Sequence, residues 1–95
     1  MKRWIHAATS ANLKKLIVND NYSEDDNVTV KDAIDDMCYN TYDEYYPDYA
    51  EGKFKLADMV KIVIEHLDDP DIYGLRVGKD YPRSYITEQM KKYCN

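Results

Sequence analysis

The side chains able to do covalent or proton-transfer chemistry in this sequence are few: Cys38 and Cys94, His6 and His66, and carboxylates such as Asp58. A nucleophilic site needs a base within hydrogen-bond reach of the nucleophile, a group that orients the base, and donors aimed at the developing oxyanion. His6, Cys38, His66 and Asp58 supply residue types for such a site, but no local motif holds a nucleophile at a turn. Cys38 falls on the inward face of an expected helix, where a thiol lacks the exposure and the electropositive setting that reactivity requires. The two cysteines are too few for a disulfide framework, and neither a CxxC nor a Cys/His spacing suggests zinc.

Asp25, Asn27, Thr29 and Asp36 stand at the first, third, fifth and twelfth positions of a twelve-residue window, as calcium ligands would. The sixth position is Val30 instead of the glycine that the sharp turn needs, the ninth is Ala33, and the window runs into the strongest helix signal of the chain. Adjacent carboxylates such as Asp35 with Asp36 point in different directions on a helix, and Asp68-Asp69-Pro70 has the composition of a helix-ending turn. The expectation is a non-enzymatic chain with no cofactor and no metal.

Recognition chemistry is better represented. Residues 20–51 carry eleven Asp or Glu side chains against one Lys, while the first nineteen residues carry four basic groups and no acid. Residues 52–95 are nearly balanced, and the whole chain has a formal net charge of −5. Six of the ten tyrosines lie in the acidic block, most of them in the segment CYNTYDEYYPDYAEG of residues 38–52. Carboxylates interleaved with amphipathic rings suit a surface of Lys, Arg and exposed rings, through salt bridges, tyrosine hydroxyls and cation–π contacts. The candidate partner-binding residues are Asp32, Asp35, Asp36, Tyr39, Tyr42, Asp43, Glu44, Tyr46, Asp48 and Tyr49. The expected partner is a basic protein surface, with the nucleic-acid site of an enzyme as its most specific form. Direct binding to nucleic acid is disfavoured because phosphates would meet carboxylates, the small basic set Lys2, Arg3, Lys14 and Lys15 aside. The competing structural reading puts Tyr42, Tyr45 and Tyr46 in the core and leaves Asp43, Glu44 and Asp48 as a solvated face.

These side chains must be positioned by a small scaffold. With 95 residues the chain is expected to form one domain that buries roughly two-thirds of its unfolded surface. Alternation predicts a short strand at residues 2–7, and Leu13, Leu16 and Ile17 predict a short helix at 12–18, followed by a loop at 19–27. Thr29 is a plausible N-cap with Asp32 three residues on, and Val30, Ala33, Ile34, Met37, Cys38, Thr41 and Tyr45 then recur at intervals of three and four. That spacing predicts a helix over 30–46, stopped by Pro47, with a turn at 47–53 around Gly52.

A second amphipathic helix is expected over 55–67 on Leu56, Met59, Val60, Val63 and Leu67, with Ile62 and Ile64 widening its stripe. Residues 72–77 read as a strand able to pair with residues 2–7. Residues 83–93 read as a closing helix with Ile86, Met90 and Tyr93 inward. The predicted class is therefore α+β, mainly helical, with three or four helices and a two-stranded β element. The wide apolar stripe at Ile62 and Ile64 motivates an alternative function, an oligomeric or adaptor module that makes contact through helix faces.

The opening MKRWIHAAT resembles the openings of short proteins encoded by Gram-positive bacteria, their phages and conjugative elements. The resemblance spans under a tenth of the chain and contains no functional motif, so it implies a mobile-element origin and assigns no site residue. Acidic proteins of this size in such elements include inhibitors of host defence nucleases, among them anti-CRISPR proteins, some of which act as charge mimics of nucleic acid. This chain is similar to them in size and charge, which implies an inhibitor acting in the host cytoplasm. No apolar run approaches the roughly 18 residues needed to span a bilayer, and the opening lacks the apolar stretch of a signal peptide.

Overall fold

Helix α1 begins where the sequence offers a reciprocal cap. The Asp32 backbone N–H donates to Thr29 Oγ1 at 3.1 Å, and the Thr29 N–H donates to Asp32 Oδ2 at 3.1 Å. The structure is a computed structural model that describes residues 12–94, and in it α1 spans Val30–Ala50. The Thr29 backbone and hydroxyl together hold the Asp32 carboxyl below its ordinary value of 3.8. A depressed carboxylate stabilises the fold at neutral pH and loses that contribution as pH falls through its folded-state value. Asp32→Asn is therefore expected to lower stability by about 0.5–1 kcal/mol at pH 7, with the difference shrinking toward pH 3. Urea unfolding at the two pH values checks it; a difference that grows on acidification contradicts it.

The predicted stop at Pro47 is wrong: α1 runs one turn further, with Pro47 inside it. The missing Pro47 N–H leaves the Asp43 carbonyl without its helical partner, and Asp43 is exposed, so water can satisfy that oxygen. The helix ends at Gly52 instead. Gly52 has φ +82°, its N–H donates to the Tyr49 carbonyl at 3.1 Å, and the Lys53 N–H donates to the Asp48 carbonyl at 2.8 Å. These are the two bonds of a Schellman termination, which needs a residue at ease in the left-handed region.

Helix α2 spans Leu56–Asp68, its first turn held by the Lys55 N–H donating to Asp58 Oδ2 at 2.8 Å. The consecutive β-branched residues Ile62, Val63 and Ile64 are accommodated in it because Met59, Val60, Val63 and Leu67 bury one complete helical face. Helix α3 spans Arg83–Cys94 and buries Ile86 and Met90. Each of the three helices packs on the other two, and Ile34, Cys38, Met59, Val63, Leu67, Tyr81, Ile86 and Met90 at their junction have no exposed surface.

The predicted α+β class does not hold, since the described residues contain no β-strand and the fold is helical. The strand expected at residues 2–7 lies outside the described residues. Its expected partner, residues 72–77, is wound into turns: the Asp69 carbonyl accepts from the Ile72, Tyr73 and Gly74 N–H groups, Gly74 has φ +65°, and the Leu75 N–H donates to the Leu67 carbonyl at 2.7 Å. A backbone folded back on the end of α2 has no straight row of donors to offer a strand. Isolated bridges join Leu16 to Thr29 and Val77 to Tyr81.

The helix expected over 12–18 shrinks to a 3-10 turn at Asn12–Lys14. Residues beyond it pair instead of coiling: the Ile17 N–H donates to the Val28 carbonyl at 2.7 Å and the Val30 N–H to the Lys15 carbonyl at 2.9 Å. The loop over 19–27 contains a further 3-10 turn, Glu24–Asp26, and is anchored by Tyr22, whose ring stacks on Tyr73 at 5.5 Å. Asn21 Nδ2 donates to the Asp71 carbonyl at 2.6 Å and Asn12 Nδ2 to the Lys79 carbonyl at 2.9 Å, so side-chain amides join the two loop regions.

Candidate functional site

The residues singled out for recognition nearly all lie on α1, and the period of that helix sorts them. Asp32, Asp36, Tyr39, Asp43 and Tyr46 follow at alternating intervals of four and three, which aligns them in one stripe about 21 Å long at 1.5 Å per residue. All five are exposed. The stripe faces away from Val30, Ala33, Ile34, Cys38 and Thr41, the buried positions of the same helix. The rigid support is therefore the core itself: one helix face packs, and the opposite face displays.

The same period places the other five candidates off the stripe. Asp35 accepts from Lys31 Nζ at 2.8 Å and from the Tyr85 hydroxyl at 2.9 Å, so its charge is engaged within the molecule. Burial and that carboxylate push the Tyr85 hydroxyl up to about 12. Tyr42 is half-buried against the core, and Tyr49 donates its hydroxyl to the Cys94 carbonyl at 2.8 Å, tying the end of α1 to the end of α3. Asp48 is half-buried at the helix terminus, where its carbonyl accepts from Lys53 and Phe54. Glu44 is exposed at the other edge of α1.

One contributor was absent from the sequence-derived set. Tyr93 of α3 stacks on Tyr42 with ring centroids 5.4 Å apart and lies 6.1 Å from Tyr39, so it forms part of the surface beside the stripe. Its inward position on a helix was legible, but nothing local could place it beside a ring 51 residues earlier. Asp36 accepts from Asn40 Nδ2 at 3.2 Å and keeps its remaining acceptor capacity toward solvent.

Of the groups weighed for catalysis, His6 lies outside the described residues. Cys38 is fully buried, and burial raises its thiol to about 12. Cys94 is a half-buried free thiol, also raised by burial. Among the described residues no three His, Cys, Asp or Glu side chains are grouped to hold a metal ion. A shallow, open depression of about 420 Å³ lies between α2 and the following loop, lined by Ile64, Glu65, Asp68, Arg76 and Val77. Its Arg76 guanidinium is 3.8 Å from Asp68, an exposed pair worth at most about 1 kcal/mol. Ile64 packs against the core and Ile62 is half-buried, so the fold itself covers part of the wide apolar stripe. Among the described residues no helix is long and apolar enough to cross a membrane.

Comparison with known proteins found no matching family, no similar curated protein and no similar solved structure.

Proposed function

We propose that this chain is a non-enzymatic, protein-binding domain whose α1 stripe occupies a cationic groove on its partner, in the position that nucleic acid takes there. The observation that carries this reading is the outward row of Asp32, Asp36 and Asp43, with Tyr39 and Tyr46 between and beyond them, on the face of α1 opposite its buried residues. Carboxylates one or two helical turns apart on a stiff rod resemble the spaced charges of a phosphate backbone. They steer a basic partner by long-range attraction and compete with the polyanion it normally binds. A flexible acidic tail would lose much of the same attraction to ordering entropy.

The more specific assignment is inhibition of a host defence nuclease, in the manner of anti-CRISPR charge mimics, acting in the cytoplasm of the host. It rests on the size, the net charge of −5 and the resemblance of the opening residues to those of mobile-element proteins.

Asp36 and Asp43 are the charges to reverse, because Asp32 also caps α1 and Asp35 is held by Lys31 and Tyr85. The double variant Asp36→Lys, Asp43→Lys is expected to leave stability within about 0.5 kcal/mol and to weaken partner binding about a hundredfold. The assay is capture from bacterial lysate on the immobilised chain, followed by elution with salt or with duplex DNA and identification of what is released. Proteins released by both competitors, and lost with the double variant, carry the reading. Capture that neither DNA nor the charge reversals disturb overturns it.

A further inference from the structure

Four tyrosines from two helices meet beside the acidic stripe. Tyr42 stacks on Tyr93 at 5.4 Å with 28° between ring planes, Tyr46 lies tilted against Tyr42 at 5.3 Å, and Tyr39 lies tilted against Tyr93 at 6.1 Å. Tyr42 and Tyr93 are half-buried and make a floor, while Tyr39 and Tyr46 stand above it with 53% and 48% of their surface exposed. Single exposed rings are ordinary, but a contiguous patch of them marks a contact surface.

The chemistry of the occupant follows from what borders the rings. Asp36 precedes Tyr39 by three residues, Asp43 follows it by four, and Tyr46 follows Asp43 by three, so each exposed ring has a carboxylate one helical turn away. Aromatic faces carry the negative end of the ring quadrupole, and the carboxylates add full negative charge beside them. Among the described residues, Lys31 pairs with Asp35 at 2.8 Å, and Lys92 donates to Gln89 Oε1 at 3.3 Å. The complement to such a patch is a planar cation that stacks and donates hydrogen bonds at once.

We propose that the Tyr39, Tyr42, Tyr46 and Tyr93 patch is an arginine anchor, where guanidinium groups of a protein partner stack on Tyr39 and Tyr46 and donate to Asp36 and Asp43. This rests on the reading of the α1 stripe above and names the side chain it receives. Arginine fits better than lysine because its flat, weakly hydrated fork can lie on a ring and still present N–H groups edgewise to a carboxylate; a lysine ammonium is compact and strongly hydrated. Nucleic-acid bases could also stack on the rings, but their phosphates would then face Asp36 and Asp43.

The test is titration of the whole chain with oligo-arginine and oligo-lysine peptides of equal length at one ionic strength, followed by calorimetry and by the tyrosine ring resonances in NMR spectra. The arginine peptide is expected to bind about tenfold more tightly, equivalent to about 1.4 kcal/mol from two ring contacts. Tyr39→Leu with Tyr46→Leu should erase that preference while leaving lysine-peptide affinity in place. Asp36→Asn with Asp43→Asn should weaken both peptides. Equal affinities, or a preference that survives loss of the two rings, overturns the arginine anchor; carboxylate-dependent binding would then still stand for the stripe. Binding of neither peptide overturns both. Ring-dependent binding of a single-stranded oligonucleotide, or ring-dependent self-association in sedimentation, assigns the patch to bases or to a second copy and overturns the proposal.

Discussion

Ile34→Ala is expected to lower stability by about 3 kcal/mol, within the 2–5 kcal/mol span of large-to-small core changes. Ile34 has no exposed surface and belongs to the core cluster that joins all three helices. Removing its branched side chain leaves a cavity between elements that cannot all move inward, because each helix already packs on the other two. A domain of this length has a total stability of roughly 5–14 kcal/mol, so the change consumes a large share of it. Ile62→Ala is the internal control: the same chemistry at a half-buried position should cost about 1 kcal/mol or less. Urea unfolding of the two variants measures both. A cost below 1 kcal/mol at Ile34, or equal costs at the two sites, would show that α1 does not pack as described.

The second large effect is at the thiols. In the native chain at pH 8, Cys94 is expected to react with a disulfide reagent and Cys38 to react at least about a thousandfold more slowly. The attacking species is the thiolate, and with its thiol raised to about 12, Cys38 holds only about one thiolate in ten thousand at that pH. It is also fully buried, so the reagent must wait for the helices to part. Cys94 is half-buried at the end of α3 and needs only local fraying, although burial makes it slower than a free thiol. When reclosing is faster than labelling, the Cys38 rate follows the population of the open state. Ile34→Ala should then accelerate Cys38 about 150-fold, the factor that corresponds to about 3 kcal/mol, and leave Cys94 nearly unchanged. Equal labelling of the two thiols in the unmodified chain would contradict the buried position of Cys38.

What a reader of the residues could foresee about α1 was nearly complete. Val30, Ala33, Ile34, Cys38 and Thr41 are buried, and Met37 and Tyr45 pack against the core. Thr29 and Asp32 cap each other. The four core positions Met59, Val60, Val63 and Leu67 of α2, and Ile86 and Met90 of α3, follow in the same way. Sequence and structure part at helix ends and in loops. Pro47 predicts a stop, yet near a helix terminus it removes a single hydrogen bond from a carbonyl that water can reach. Alternation at residues 72–77 predicts a strand, but six residues of alternating character do not outweigh the turn chemistry of Asp69, Pro70 and Gly74.

The candidate site divides along the same line. A stripe of Asp32, Asp36, Tyr39, Asp43 and Tyr46 opposite a buried face is implicit in the period of α1, because side-chain direction on a helix repeats every 3.6 residues whatever surrounds it. The fates of Asp35, Tyr42 and Tyr49 were not implicit. They depend on Tyr85, Tyr93 and the Cys94 carbonyl, which belong to a helix 45 to 51 residues away in sequence.

Local order on this chain was thus determined by the sequence alone: where helices start, which of their faces turn inward, and that negative charge concentrates in residues 20–51. Only the tertiary structure decided which carboxylates stay free and which rings form a patch. Caps and periodicity act over three or four residues, where backbone geometry leaves few choices. The pairing of α1 with α3 is selected by the packing of the whole core, a sum over distant contacts that no single segment carries.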